Sequence, residues 1–301
     1  MSAEHDALRE ALGRVGAWTF TFDELPADRI AADVRAIEAM GYAALWLPEG
    51  GGSNDILTNL GWSLAASERL TVASGIANIS AREPEVLARG AAFLAEAHGG
   101  RLVLGVGVGH EYSTERRGME WDRPLARMRR YLDVMDADES PWRPAPRMLA
   151  ALGDGMLRLA APRSLGAHSY FVPVAHTAHA REVLGPEPVL AVELGVMPGA
   201  DEATARAWGR EWATDYLELP NYANNWRRLG FDDDDVAGGG SDRLQDAAFA
   251  WGSPAQIAGR VREHLDAGAD HVCVQVIGEP GGDAAVDLRG LEELAPALLT
   301  L

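Results

Sequence analysis

Apolar and polar positions along this chain change period several times, and each change marks an element. Val15–Phe20, after Gly13-Arg14, is a short apolar run that predicts a strand. Pro26 opens a helix to Met40, because Ile30, Val34, Ile37 and Met40 recur at helical spacing and Gly41 stops it. Ala43–Leu47 reads as a second strand closed by Pro48. Glu49–Asn54 is a loop with three consecutive glycines, and Asn54 or Asp55 caps a helix running to Ser67. Leu70–Ala77 is a third strand, and Pro84 starts a helix that ends at His98-Gly99-Gly100. Arg101–His110 carries the fourth strand.

The second half is less regular. A polar loop, His110–Asp122, precedes a helix to about Asp136 and a proline-rich linker, Ser140–Pro146. Met148–Leu152, Gly166–Val172, Pro188–Val196 and His271–Ile277 read as four more strands. Helices are predicted over Met156–Ala161, Ala175–Leu184, Asp201–Leu229 with a break at Pro220, Ser253-Pro254 through Ala267, and Leu288–Leu299. Asp232–Gly240 is an acidic, glycine-rich loop. Strands alternating with helices on short links argue for parallel pairing, and eight of them argue for an α/β fold: a TIM (β/α)8 barrel with insertions. A doubly wound open sheet is the alternative, though such sheets seldom need so many parallel strands. No composition break divides the chain, so residues 1–301 are read as a single domain.

The fourth strand is unusual. After Leu102, Val103 and Leu104, glycine takes every second position, at Gly105, Gly107 and Gly109, and His110 follows. Side chains alternate across a strand, so the three glycines share one face. Such a strip either lets a flat ligand lie against the backbone or makes room for bulky neighbours. It is not a dinucleotide fingerprint, which needs the GxGxxG spacing.

Composition narrows the chemistry. A 47% hydrophobic content in 301 residues supplies a sizeable core. The net charge of −18 argues against nucleic acid or an anionic membrane as partner. All 27 basic residues are arginine, so lysine Schiff-base chemistry is excluded. The single cysteine, Cys273, permits no internal disulfide and suits a reducing cytoplasm. Met1–Arg14 lacks the apolar core of a signal peptide, and no CxxC or HExxH spacing predicts a metal site.

Several stretches in order, RLVLGVGVGHEY, MGYAALWLPEG, ERLTVASGIANISAREP and RMLAALGDGMLRLAA, resemble the luciferase-like monooxygenase superfamily. With LPNYANNWRRLGF and the GGGSDRLQDAAFAWGSPAQ segment, they most resemble its actinobacterial branch of coenzyme F420-dependent oxidoreductases. The resemblance implies a TIM barrel, a flavin-like ring at the carboxyl ends of the strands, a homodimer, and hydride transfer between the deazaflavin and a small organic substrate. FMN in a two-component monooxygenase is the alternative cofactor and activity; a non-catalytic flavin-binding protein is a third reading.

The resemblance also nominates residues. A non-proline cis peptide behind the ring falls at Gly75-Ile76, with Ala77 and Asn78 beside the cofactor. Gly105, Gly107 and Gly109 belong to the cofactor's share of the site. Glu49 stands where relatives carry an acid, but Gly50 replaces their following histidine. His110, at a strand's carboxyl end, is nominated with Glu49 as catalytic, because imidazole gives or takes a proton near neutral pH. Gly153 and Gly155 flank a helix start suited to the cofactor phosphate, although Asp154 would oppose an anion there or cap the helix. Trp18, Tyr112, His168 and Tyr170 are assigned to the substrate pocket. His176 and His179 are expected on a helix surface. Each assignment has a plainer counterpart, namely core packing for Trp18, a solvated carboxylate for Glu49 and a structural histidine for His110.

Overall fold

Among the described residues, eight parallel strands close a ring around an apolar interior. The computed structural model describes residues 3–23, 25–50, 54–282 and 286–301. The ring consists of β1 (Val15–Trp18), β2 (Ala44–Leu47), β3 (Thr71–Ser74), β5 (Leu102–Gly107), β6 (Arg147–Ala150), β7 (Gly166–Ser169), β8 (Val189–Pro198) and β10 (His271–Val276). It closes by pairing of β10 with both β8 and β1, for instance Cys273 with Glu193 and with Gly16. This is the TIM barrel expected. Two short strands decorate it. β4 (Ala77–Asn78) pairs with the upper end of β5, and β9 (Phe249–Gly252) pairs with the upper half of β8.

Alternation divides the core into an inside and an outside. Trp18, Trp46, Ala73, Val103, Met148, Ala191 and Cys273 meet within the barrel. The other strand faces, such as Leu45, Val72, Leu104, Leu149 and Val192, pack with the surrounding helices. The helix Ala3–Leu12, which the sequence reading did not include, buries Leu8 and Leu12 in the same cluster as the barrel interior. A third cluster gathers Phe171, Tyr222, Trp226 and Phe249 around the insertion between β8 and β9.

Several boundaries differ from expectation. The first strand stops at Trp18, before a 3-10 turn at Thr21–Asp23. The third breaks after Ser74, and the sixth ends at Ser169, because Phe171 takes a left-handed φ of 53°. The polar loop after His110 contains the helix Glu111–Glu115, and the acidic loop contains a helical turn, Asp233–Val236, capped by Asp232. Pro220 does divide the long helical region, into Glu202–Leu217 and Pro220–Arg228. The three-glycine loop lies partly outside the described residues, at Gly51 and Gly52.

Candidate active site

A cavity of about 790 Å³ opens where the strands end. Its lining comes from the ends of successive strands: Trp18 from β1, Glu49 after β2, Gly75, Ile76 and Asn78 after β3, Gly107 to His110 after β5, Gly153 after β6, and His168 and Tyr170 at β7. In parallel α/β barrels this end carries the chemistry. Of the residues nominated from sequence, Ala77, Gly105 and Gly155 do not line it.

The Gly75–Ile76 peptide bond is cis, as the resemblance implies. The glycine strip, however, is not bare toward a ligand. A Cβ on Gly105 would collide with the Ser74 carbonyl oxygen, one on Gly107 would meet Ile76 Cδ1 at 2.6 Å, and one on Gly109 would strike the Asn78 side chain. The glycines therefore let the Ser74–Asn78 segment seat against β5. Ser74 Oγ donates to the Gly105 carbonyl at 2.8 Å across this contact. The opposite side of that segment, through Gly75, Ile76 and Asn78, faces the cavity. The packing reading holds for Gly105, and the strip supports the segment that floors the cavity.

Glu49 also differs from expectation. Its Oε1 and Oε2 accept from Arg82 at 2.5 and 2.9 Å, and Oε2 accepts the Asn78 N–H at 2.8 Å. Arg82 reaches Asp55 as well, at 2.5 Å. Burial works against ionisation of Asp55, but the Thr58 N–H and the Arg82 guanidinium hold its carboxyl below the usual range. With both oxygens engaged, Glu49 is a clamp on the cavity floor rather than a free acid. Arg82 went unnoticed in the sequence; ANISAREP contains it, but nothing local shows its partner.

His110 lines the cavity from the N-cap position of the helix Glu111–Glu115. Ser113 Oγ donates to its carbonyl at 2.8 Å and accepts its N–H at 3.3 Å, and Asn78 Nδ2 reaches Ser113 Oγ at 3.3 Å. The imidazole stacks on Tyr112, centroids 5.7 Å apart, and lies 5.8 Å from Tyr222. Burial lowers its pKa, so the ring is neutral near pH 7 and able to accept a proton.

Deeper, the His168 ring stacks on Trp46 at 4.5 Å, and burial pulls its pKa down to about 3. Tyr170 donates to Gln275 Oε1 at 2.8 Å and sits 3.3 Å from the Tyr216 hydroxyl. The insertion supplies Tyr216, Leu219, Asn221 and Tyr222 as a wall that periodicity did not assign. Trp226, by contrast, is core. Glu193, inside β8, was also missed; burial raises its pKa to about 8, and it accepts the Phe171 N–H at 3.0 Å.

At the far end, Gly153 is the N-cap of Asp154–Arg163 and presents that helix's free N–H groups. Asp154 does not cap it; its carboxylate takes His179 at 2.7 Å and Arg158 at 3.1 Å. His176 is buried, not on the surface, and its Nε2 pairs with the Leu152 carbonyl at 2.9 Å, which fixes the approach to Gly153. Among the described residues no arginine lines the cavity, but Arg228 Nη2 lies 3.7 Å from where a Gly153 Cβ would sit. Arg163, on the Asp154–Arg163 helix, is committed to Asp133 and Asp136. An aromatic slot floored by Gly75 and Ile76, with a helix N-terminus at one end and Arg228 close behind it, fits a planar ring carrying an anionic tail.

Comparison with known proteins agrees with the barrel fold. Residues 11–138 match the family model of luciferase-like monooxygenases. A Mycobacterium tuberculosis protein named as a coenzyme F420-dependent oxidoreductase is 34% identical over 120 residues, 38% of this chain and 34% of that protein. The match thus spans about a third of this curated relative's length. An F420-dependent secondary alcohol dehydrogenase, solved with an F420–acetone adduct, superposes with a TM-score of 0.74 at 13% identity, covering 95% of this chain and 98% of the other. The FMN-bound oxygenating constituent of a Pseudomonas putida type II Baeyer–Villiger monooxygenase gives 0.68 at 16%, covering 94% and 98%. At these identities the structural likeness establishes the fold.

Proposed function

We propose that this chain, luciferase-like in its family match and its barrel, is a coenzyme F420-dependent oxidoreductase acting on a small organic substrate. The observation that carries the reading is the slot itself, floored by Gly75 and Ile76, faced by neutral His110 and ended by the Gly153 helix start. When bound, the deazaflavin supplies hydride chemistry at C5. The chain's own residues do the rest. Tyr170, Tyr216 and Tyr222 wall the substrate from water, and Gly153 with Arg228 receives the anionic tail. His110 takes or gives the proton that accompanies hydride transfer.

An FMN-dependent monooxygenase is the second reading, favoured by the FMN-bound neighbour with the same barrel. Fluorescence titration of purified protein with F420 and with FMN separates the two. Preferential F420 binding is expected; tight binding of FMN alone overturns the proposal, and binding of neither points to a non-catalytic role.

A homodimer belongs to the proposal. Trp62, Val86 and Phe93 stand exposed on the neighbouring helices Ile56–Ala66 and Pro84–Ala97, and light scattering tests whether a second copy covers them. A cytoplasmic setting suits the free, buried Cys273, and the charge of −18 favours neither nucleic acid nor membrane as partner. Among the described residues, no helix is long and apolar enough to cross a membrane.

A further inference from the structure

The cavity floor holds polar atoms with nothing to bond. Trp18 is 1% exposed and His168 2%, and both line the cavity. The Trp18 indole Nε1 and His168 Nε2 are buried with no partner at hydrogen-bond geometry, and the His168 ring's other contact is with the Ala191 backbone. Most buried N–H groups are paired, and one left unpaired is costly. These atoms also converge. A Cβ placed on Gly75 would lie 2.8 Å from Trp18 Nε1 and 3.4 Å from His168 Nε2, so both nitrogens are gathered against the same face of Gly75, and all three residues line the cavity.

We infer that Trp18 Nε1 and His168 Nε2 form a two-point receiver for a ligand oxygen, carbonyl or hydroxyl, docked beside Gly75 on the cavity floor. The indole N–H is a donor only, so the ligand atom must be an acceptor, which excludes an ammonium or methyl group at this point. Burial keeps the imidazole uncharged, so it offers one N–H or one lone pair rather than a positive charge. A carboxylate would meet no cation here and is disfavoured against a neutral oxygen. The oxygen has two possible sources, the edge of the cofactor ring or the substrate. The inference rests on the reading that this cavity holds both.

Indole N–H resonances of 15N-labelled protein test it. The chain has nine tryptophans, and the spectrum of Trp18→Phe identifies the Trp18 signal by its loss. Wild-type protein is titrated separately with oxidised F420, with FMN and with cyclohexanone, a neutral carbonyl probe. A downfield shift of the Trp18 proton with F420 or FMN assigns the oxygen to the ring, and a shift with cyclohexanone only assigns it to the substrate. Trp18→Phe, which keeps most of the ring's bulk, then raises the Kd of the same ligand on the order of tenfold. A Trp18 resonance unmoved in all three titrations overturns the inference, whether or not F420 or FMN binds. Fluorescence quenching by F420 and FMN reads the proposed function separately, so the two ideas fail independently.

Discussion

Arg82 grips Glu49 through both terminal nitrogens, at 2.5 and 2.9 Å, and Glu49 passes the hold to the Asn78 N–H at 2.8 Å. The pair ties the loop after β2 to the segment that floors the cavity. Both side chains are nearly buried, at 10% and 5% exposure, so removing one partner strands a charge. Arg82→Met is expected to cost about 3–5 kcal/mol in urea unfolding and to weaken cofactor binding as Asn78 loses its anchor. A loss below about 1 kcal/mol, the scale of a surface pair, would show that water already screens Glu49.

What could be read from sequence follows from range. The strands of the barrel are short apolar runs between turn signals, and Pro26, Gly41 and Pro220 act on their immediate neighbours, so those elements were visible. Side-chain assignments that depend on distant partners were not. Glu49 is separated from Arg82 by 33 residues, and His176 from the Leu152 carbonyl by 24. No local pattern says that the first is clamped or that the second is buried. The wall at Tyr216 and Tyr222 sits on an insertion whose position over the barrel is set by tertiary packing with Phe171 and Tyr170.

The glycine strip makes a ranked prediction. Gly105→Ala presses a methyl onto the Ser74 carbonyl, which is backbone in a paired segment and has no room to yield. Gly107→Ala meets Cγ1 and Cδ1 of the Ile76 side chain, which can shift where a backbone carbonyl cannot, and comes within 3.2 Å of Ala150 Cβ. The first is expected to destabilise by about 1–3 kcal/mol or more and the second by less. Denaturant midpoints of the two variants measure the order, and a reversed ranking would mean that the floor moves more freely than Ile76.

Buried histidines and Glu193 impose opposite pH dependences. Burial lowers the pKa of His168 to about 3 and of His271 to about 4, both below the unfolded value of 6.5. The unfolded chain therefore binds more protons between about 6.5 and 3, and stability is lost as pH falls through that range. Glu193 is raised from 4.5 to about 8 by burial, so its contribution is full below 4.5 and is lost as pH rises toward 8. Stability should peak between the two limbs. Glu193→Gln keeps an acceptor for the Phe171 N–H and removes the alkaline limb. At pH 8.5 it should exceed the parent protein in stability, on the order of 1–3 kcal/mol, by urea unfolding. An unchanged slope between pH 6.5 and 8 would mean that Glu193 ionises freely in the native barrel.

His110 is the residue whose removal separates chemistry from binding. Its backbone is held by Ser113, and its ring contacts Tyr112 and Tyr222 rather than the floor segment. His110→Ala should therefore leave the cavity and the F420 Kd nearly unchanged while turnover falls about 10²–10⁴-fold, the range of a general acid–base group. Because burial lowers its pKa, the neutral ring that accepts a proton persists below pH 6.5, and the acidic limb of the kcat profile should lie on that side. The alanine variant should lose that limb. Turnover within about threefold of the parent protein, with the limb intact, would take His110 out of the proton transfer and leave it as a wall of the slot.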